Sequence, residues 1–113
     1  MLLIALLFAF AHPVKGEVIE QKESQYNTII IRKDNNLVSM TFGHNTRINT
    51  ESVKDITDEF ALPVTYTRYM TIAMAYPENP AKVVEIGSGG GRTSAYLSQS
   101  IKDTNVTTVE LDP

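Results

Sequence analysis

The chain has 113 residues, 42% hydrophobic content and a formal net charge of −3. This length allows one small domain, and the mild, unpatterned charge gives no support for a nucleic-acid interface or a polybasic membrane surface. The absence of cysteine excludes disulfides and thiolate metal sites. His12 and His44 are too far apart for ligand-like spacing, so no metal site is predicted.

The sequence opens with MLLIALLFAF, an uninterrupted apolar run. A run of about ten residues is too short to cross a bilayer, which takes roughly twenty, but it suits the hydrophobic region of a secretory signal cut before Glu17. We therefore predict a signal peptide or membrane anchor over residues 1–16, with membrane contact through residues 1–12, and an exported (periplasmic or secreted) or membrane-anchored protein. Two alternatives remain, the tail of a longer membrane helix or a buried strand; without a signal the protein is cytoplasmic.

Residues 17–60 are predicted to form an N-terminal β region. YNTIIIR (26–32) is rich in β-branched residues, LVSMTF (37–42) alternates apolar with polar residues, and TRINT (46–50) is a shorter strip of the same kind. KDNN and GHN supply turn residues between them. This pattern indicates a β-hairpin or small meander, followed by the polar and irregular stretch 51–60.

A helix is predicted over LPVTYTRYMTIAMAY, residues 62–76. Pro63 suits the first turn of a helix, and Pro77 stops it. Helical spacing places one set of side chains on a common face that we expect to be buried. That set is Tyr66, Tyr69, Met70, Ala73, Met74 and Tyr76.

The C-terminal part, residues 61–113, is predicted to contain a strand–helix–strand unit. AKVVEIG (81–87) is typical of a parallel strand buried on both faces, residues 92–100 form a helix, and NVTTVELD (105–112) is the second strand. Two parallel strands do not complete a doubly wound sheet, so we expect the first part of a truncated Rossmann-like domain. The helix residues predicted to be buried are Ala95, Leu97 and Ile101.

Four glycines lie within five positions between the first of these strands and the helix. They are predicted to permit positive φ and to let a ligand approach the backbone where no Cβ intervenes. The helix N-terminus that follows offers free N–H groups. A purely structural turn is the alternative. The four are Gly87, Gly89, Gly90 and Gly91.

The glycine spacing does not complete the dinucleotide fingerprint G-x-G-x-x-G. It has the form E-x-G-x-G-x-G, which resembles the first motif of S-adenosylmethionine-dependent enzymes and begins at Glu85. Glu110 lies 23 positions after Gly87, near the roughly 20-residue offset expected of a ribose-binding carboxylate. Asp112 is a secondary candidate. The predicted cofactor-binding residues are Glu85, Gly87, Gly89, Gly91 and Glu110.

The chain resembles the spermidine synthase-like proteins, or polyamine aminopropyltransferases, and most closely their bacterial membrane-associated branch. The segments that carry the resemblance are ESQYN, LPVTYTRYM, ENPAKVVEIGSGGGR and VTTVELDP. The last two are common to many class I methyltransferase-like folds, whereas the β region and the Y-T-R-x-M helix favour this family.

The resemblance implies a β domain followed by a Rossmann-like (methyltransferase-like) domain. It implies decarboxylated S-adenosylmethionine as donor of an aminopropyl group to a polyamine such as putrescine, without a metal. It also implies a contribution on the substrate or cofactor side from Tyr66 and Asn27, although Asn27 stands where the family has glutamine and Gly90 where it often has aspartate. The aspartate that activates the amine in this family falls beyond Pro113, so no catalytic base is predicted.

Several alternatives stay open. The same motifs serve methyl transfer from S-adenosylmethionine. A third possibility is that the chain is a non-catalytic remnant or an interaction module.

Single residues also have two possible roles. Tyr66 and Arg68 either line a pocket or are a core tyrosine and a solvated arginine. Glu85 either orders the glycine turn or lies on the surface. Arg92 attracts an anionic partner or simply favours the helix. An unpaired sheet edge predicts a need for further sequence or a homo-oligomer.

Overall fold

The computed structural model describes residues 16–44 and 47–112. The predicted signal peptide or anchor therefore lies outside the described residues except for Gly16. Within the two described ranges, none of the helices has the length and apolar character required to span a membrane.

The first half of the described chain forms a four-stranded antiparallel sheet with the strands in sequence order. The strands are β1 (Glu17–Glu23), β2 (Thr28–Asp34), β3 (Leu37–His44) and β4 (Arg47–Asp55). This confirms the predicted meander.

Turn chemistry explains how β2 and β3 meet. Asp34 pairs with Leu37, so the connection is a two-residue loop, and its first residue Asn35 has φ of +53°. Positive φ is what a tight hairpin loop of this length requires, and asparagine tolerates it better than most residues. The KDNN segment therefore acts as predicted.

The strand β4 is longer than the sequence predicted. Residues 51–55 were expected to be irregular, but they continue the pairing with β3 as far as Asp55, opposite Leu37. The reason is tertiary, because Ser52 is buried although it is polar. Beyond β4 the chain does become irregular, and Asp55 Oδ1 accepts hydrogen bonds from the backbone N–H and the hydroxyl of Thr57. The Thr57 hydroxyl and then its N–H lower the pKa of Asp55.

The predicted central helix is present as α1 (Thr65–Thr71), which tightens into a 3-10 turn over Ile72–Ala75. The prediction of a buried aromatic and methionine face is wrong. Thr67 is the buried residue of α1, with 4% exposure, while large apolar side chains of α1 and the residues after it are exposed. They are Tyr66, Tyr69 and Met70 in α1, Ile72 in the 3-10 turn and Tyr76 directly after that turn.

The strand–helix–strand unit is confirmed. It consists of β5 (Lys82–Ile86), α2 (Arg92–Ser100) and β6 (Asn105–Val109). The two strands are parallel and pair in register from Lys82 opposite Asn105 to Ile86 opposite Val109. The fold is therefore mixed α/β, with a small β-meander followed by a parallel pair and its crossover helix.

The prediction that β5 is buried on both faces is wrong. Val84 is 66% exposed and Ile86 is 85% exposed, and Val109, opposite Ile86 in the register, is 54% exposed. Side chains alternate between the faces of a strand, so these residues share one bare face. Glu85 points to the opposite, covered face and is buried.

Buried positions in the described ranges are mostly polar. Leu97 of α2 is the buried apolar residue, with 4% exposure; Ala95 and Ile101, also predicted to be buried, are only partly so. The buried polar residues come from both sheets and both helices, which indicates that the elements converge on a polar interior site. They are Thr41, Ser52, Thr67, Glu85, Arg92 and Thr93.

Candidate functional site

The glycine turn between β5 and α2 has the conformation that the sequence predicts at three positions. Gly87, Gly89 and Gly91 have φ of +83°, +50° and +66°. A side chain on Gly87 would meet nothing within 4 Å, so the backbone there is open to an approaching ligand. These glycines are required for the turn because other residues adopt such φ values only with strain.

Gly90 is required for a different reason from the one predicted. Its φ is not in the positive range, so it does not use the freedom expected of it. Instead, a Cβ at this position would lie 2.6 Å from Cβ of Ser52, which is closer than atoms can approach. The absence of a side chain at Gly90 therefore lets the turn pack directly against β4.

Glu110, one residue beyond β6, binds the glycine turn. Its Oε2 accepts hydrogen bonds from the N–H groups of Ser88 (2.6 Å) and Gly89 (3.1 Å). Its Oε1 accepts from Leu111 (2.8 Å) and Asp112 (3.1 Å). These N–H groups, that of Asp112 first, lower the pKa of Glu110 to about 2.

The four N–H groups leave Glu110 little further capacity, since a carboxylate offers about four lone-pair sites. A ribose diol that binds Glu110 must therefore share or displace one of these donors. The sequence predicted that Glu110 lies beside the turn, but it did not predict that Glu110 accepts hydrogen bonds from the turn and so stabilises it.

A cavity of about 220 Å³ lies where the glycine turn, β4 and α1 meet. It brings together five of the predicted site residues, namely Tyr66, Glu85, Gly87, Gly89 and Glu110. Five of the six buried polar residues also line it: Ser52, Thr67, Glu85, Arg92 and Thr93. The other lining residues are Phe42, Glu51, Met70 and Ser88.

Glu85 lies on the wall of this cavity and is only 7% exposed. Neither alternative from the sequence describes it. It is not a surface carboxylate, and the N–H groups of Ser88 and Gly89 bind Glu110 instead. The Oε2 atom of Glu85 is buried without a hydrogen-bond partner.

A β-bulge in β4 supplies lining residues that the sequence did not predict. Met40 pairs with Ser52 and Thr41 with Thr50, so Glu51 is an extra residue on its strand. Bulges redirect side chains in this way. The Glu51 carbonyl accepts a hydrogen bond of 2.5 Å from the Tyr66 hydroxyl, which joins α1 to the bulge. The only sequence signal for Glu51 was its place in a polar strip.

The hydroxyl of Tyr66 titrates above its usual range in this setting. Burial raises the pKa of Tyr66 above 10.0, and the negative charges of Glu51 and Glu85 raise it further. Tyr66 is nevertheless 46% exposed. Its ring thus forms part of the open side of the cavity and is not a core side chain.

Arg68 and Arg92, for which the sequence left a ligand role and a structural role open, both bind backbone carbonyls. Arg92, 7% exposed, donates from Nη2 to the carbonyls of Glu59 (2.6 Å) and Ala61 (3.1 Å), which anchors the loop before α1 to α2. Arg68 is exposed and donates to the carbonyls of Leu62 and Pro63. Arg92 lines the cavity and Arg68 does not.

Asn27 and Asp112 lie at a second place. The backbone N–H of Asn27 donates to the Ser24 hydroxyl oxygen, and that hydroxyl donates to Asp112 Oδ2 at 2.5 Å. Asp112 and Ser24 line a separate cavity of about 560 Å³. Asn27 lines neither this cavity nor the one at the glycine turn. Gly91, another predicted site residue, does not line the cavity at the glycine turn.

The chain is 25% identical, over 118 aligned positions, to a polyamine aminopropyltransferase of Vibrio vulnificus (strain CMCP6). The match covers all of this chain and 39% of that protein, so the chain spans about two fifths of the length of this curated relative. No protein-family model matches the chain, and no solved structure does. The relationship is distant, and it supports a spermidine synthase-like relationship without indicating a substrate or a cofactor.

Proposed function

We propose that the protein binds the adenosyl group of decarboxylated S-adenosylmethionine and serves aminopropyl transfer to a polyamine such as putrescine. The observation that carries the proposal is the joint position of Glu110 and the glycine turn on one cavity with Tyr66 and the buried Glu85. The distant relative, a polyamine aminopropyltransferase, supports the same reaction class.

The residues at the cavity fit such a ligand. Gly87 presents bare backbone with no atom in the way of an approaching group, and Glu110 lies beside it as an acceptor that a ribose hydroxyl reaches by sharing or displacing one of its backbone N–H donors. Glu85 and Glu51 make the same wall negative, which suits a sulfonium and an amine. When bound, the nucleoside would supply an aminopropyl group on a positively charged sulfur.

The chain's own residues would contribute binding and orientation. The acidic wall draws cations into the cavity, and the Tyr66 ring offers a face on which an alkylammonium group can lie. Arg92 keeps the loop before α1 in place, since its guanidinium binds two carbonyls of that loop.

Methyl transfer from S-adenosylmethionine is the second candidate. The observation in its favour is the E-x-G-x-G-x-G turn itself, whose first residue Glu85 is buried at the cavity. The adenosyl sulfonium is common to both donors, so this turn suits either. The reaction products separate the two, because aminopropyl transfer releases 5′-methylthioadenosine and methyl transfer releases S-adenosylhomocysteine.

Thermal unfolding of the full chain with 5′-methylthioadenosine, decarboxylated S-adenosylmethionine and S-adenosylmethionine tests the proposal. A ligand present at about a hundred times its Kd adds roughly 2.7 kcal/mol to the free energy of unfolding, so a clear rise in Tm is expected. Incubation of the decarboxylated donor with putrescine should then yield 5′-methylthioadenosine.

Glu110→Gln is the informative variant, and Glu20→Gln on the exposed strand β1 is its matched control. We expect Glu110→Gln to lose about tenfold or more in affinity for all three nucleosides, because a carboxylate–hydroxyl bond is charge-assisted. The control should bind as the wild type does. No rise in Tm with any nucleoside would overturn the proposal and favour a non-catalytic interaction module.

A further inference from the structure

Glu85 has a chemical demand that its surroundings leave unmet. The side chain is 93% buried, given its 7% exposure, and Oε2 has no hydrogen-bond partner. A buried carboxylate without a partner is costly, because the protein interior replaces its hydration poorly. A ligand that brings positive charge to this wall would relieve the cost.

The other groups around the cavity do not meet this demand. Glu110 is occupied by four N–H groups, and the Tyr66 hydroxyl donates to the carbonyl of Glu51. Arg92 is the cation on the wall; its Nη2 atom binds the carbonyls of Glu59 and Ala61, and its Nε atom, like Oε2 of Glu85, is buried without a hydrogen-bond partner. Within the described ranges, no side chain donates a hydrogen bond to Oε2 of Glu85.

We propose that Glu85 binds the positively charged group of the ligand in this cavity, an organic ammonium or sulfonium. The nucleoside part of the inference rests on the proposed function, whereas the preference for a cation does not. The motif predicts that Glu85 binds the cofactor, and the assignment adds which part of the ligand it contacts.

Three features favour an organic cation over a metal ion. The wall contains the aromatic rings of Phe42 and Tyr66 and the thioether of Met70, and aromatic faces attract alkylammonium and sulfonium groups. No cluster of acidic or histidine side chains suited to a metal exists in the part of the chain that the structure describes. The volume of about 220 Å³ has room for a charged alkyl group, which is larger than a single metal ion.

Two matched nucleosides test the inference by titration calorimetry on the full chain. 5′-Methylthioadenosine is neutral, and decarboxylated S-adenosylmethionine adds a sulfonium and a primary ammonium to the same core. We expect the wild type to bind the charged probe at least about tenfold more tightly. Glu85→Gln should lose most of that preference, which is read as the ratio of the two affinities, and the control Glu20→Gln should keep it.

Stability provides a readout that a merely structural Glu85 would not give. Because Glu85→Gln removes the charge of a buried carboxylate whose Oε2 lacks a hydrogen-bond partner, we expect the Tm of the unliganded variant to rise. A fall in Tm together with a retained preference for the charged probe would overturn the inference. If the variant does not fold, the wild type decides, since equal affinity for the two nucleosides is also a contradiction.

A third probe separates this inference from the proposed function. Putrescine (1,4-diaminobutane) carries positive charge without the nucleoside. Its binding can be followed by NMR, as shifts of the backbone amide signals of Glu85 and Ile86. Shifts with this diamine but no binding of 5′-methylthioadenosine would refute the adenosyl proposal and support the cation site. Binding of both nucleosides with equal affinity and no shift with the diamine would refute the cation site alone.

Discussion

The two carboxylates of the glycine-turn site, Glu110 and Glu85, have opposite surroundings. Glu110, at the open end after β6, is exposed, yet both its oxygens accept backbone N–H groups. Glu85, in β5 on the inner wall, is buried and has an oxygen without a partner. Glu110 is the better accommodated charge, because it is exposed to water and bound by N–H groups, whereas Oε2 of Glu85 is shielded from water and lacks a hydrogen-bond partner.

A division of function follows from this difference. The carboxylate of Glu110 is satisfied before any ligand arrives, so it shapes the turn whether or not a ligand is bound. Glu85 is costly in the free protein and gains most from a cationic ligand. Changes that disturb the turn, remove the Glu110 charge or remove the Glu85 charge should therefore have separable effects.

The largest expected effect comes from Gly90→Ala. The new Cβ would lie 2.6 Å from Cβ of Ser52, so the turn must move away from β4, which should cost about 1–3 kcal/mol in the free energy of unfolding. The same movement should disturb the N–H groups that bind Glu110 and open the wall beside Glu85. Urea denaturation measures the cost.

The clash with Ser52 can be isolated from other effects of the substitution. Ser52→Gly removes the opposing side chain, so Gly90→Ala should cost less in that background, with a favourable coupling free energy. Gly87→Ala is the matched control, because it meets no atom within 4 Å and should cost about 1–2 kcal/mol from its positive φ alone. The same cost for Gly90→Ala in both backgrounds would contradict the packing explanation.

The second prediction concerns acid stability and Glu110. Its pKa is about 2 in the folded protein against an ordinary 4.5, so its contribution to stability is complete above about pH 4.5 and is lost as the pH falls towards 2. Glu110→Gln lacks this contribution at every pH. The difference in stability between wild type and variant should therefore shrink between pH 4.5 and pH 2.

Glu20→Gln, with the same change in net charge on exposed β1, is the control for this prediction. Hydrogen exchange gives an independent measurement, because Glu110→Gln should speed exchange at the amides of Ser88 and Gly89. A constant difference across the acid range, with unchanged exchange at both amides, would mean that Glu110 does not stabilise the turn.

Much of the fold could be predicted from local patterns. The helix α2 has the predicted bounds, 92–100, and the tight turn at Asn35 follows from its residue types. The extension of β4 could not be predicted, because its polar residues are paired and buried by neighbours distant in sequence. The apolar run in β5 predicted burial on both faces, yet apolar sequence gives only the tendency, and burial depends on what covers each face.

The candidate site shows the same limit. The spacing from Gly87 to Glu110 correctly indicated that acid and turn lie together, since the ends of neighbouring parallel strands meet at one edge. Nothing local indicated Glu51, which reaches the cavity through a one-residue bulge. The buried state of Glu85 was equally hidden, because a glutamate at a strand end is ordinarily exposed.

The smallest expected effect is on the titration of Tyr66, and it tests whether the Glu85 charge acts within the cavity. Burial first, and then Glu51 and Glu85, raise the pKa of Tyr66. Glu85→Gln should therefore lower the pKa of Tyr66 relative to the wild type, while Glu20→Gln should leave it unchanged. The Tyr66 titration is obtained as the difference between phenolate absorbance curves recorded with and without Tyr66→Phe.

The Tyr66→Phe variant also has a stability signature. It loses the hydrogen bond to the Glu51 carbonyl, which should cost about 0.5–1.5 kcal/mol near neutral pH. A raised pKa favours the protonated phenol in the folded state, so this stability is complete below about pH 10 and is lost as the pH rises through the pKa of the folded protein. If Glu85→Gln leaves the Tyr66 titration where it is, the Glu85 charge is already compensated, and the contrast between the two carboxylates is weaker than the geometry indicates.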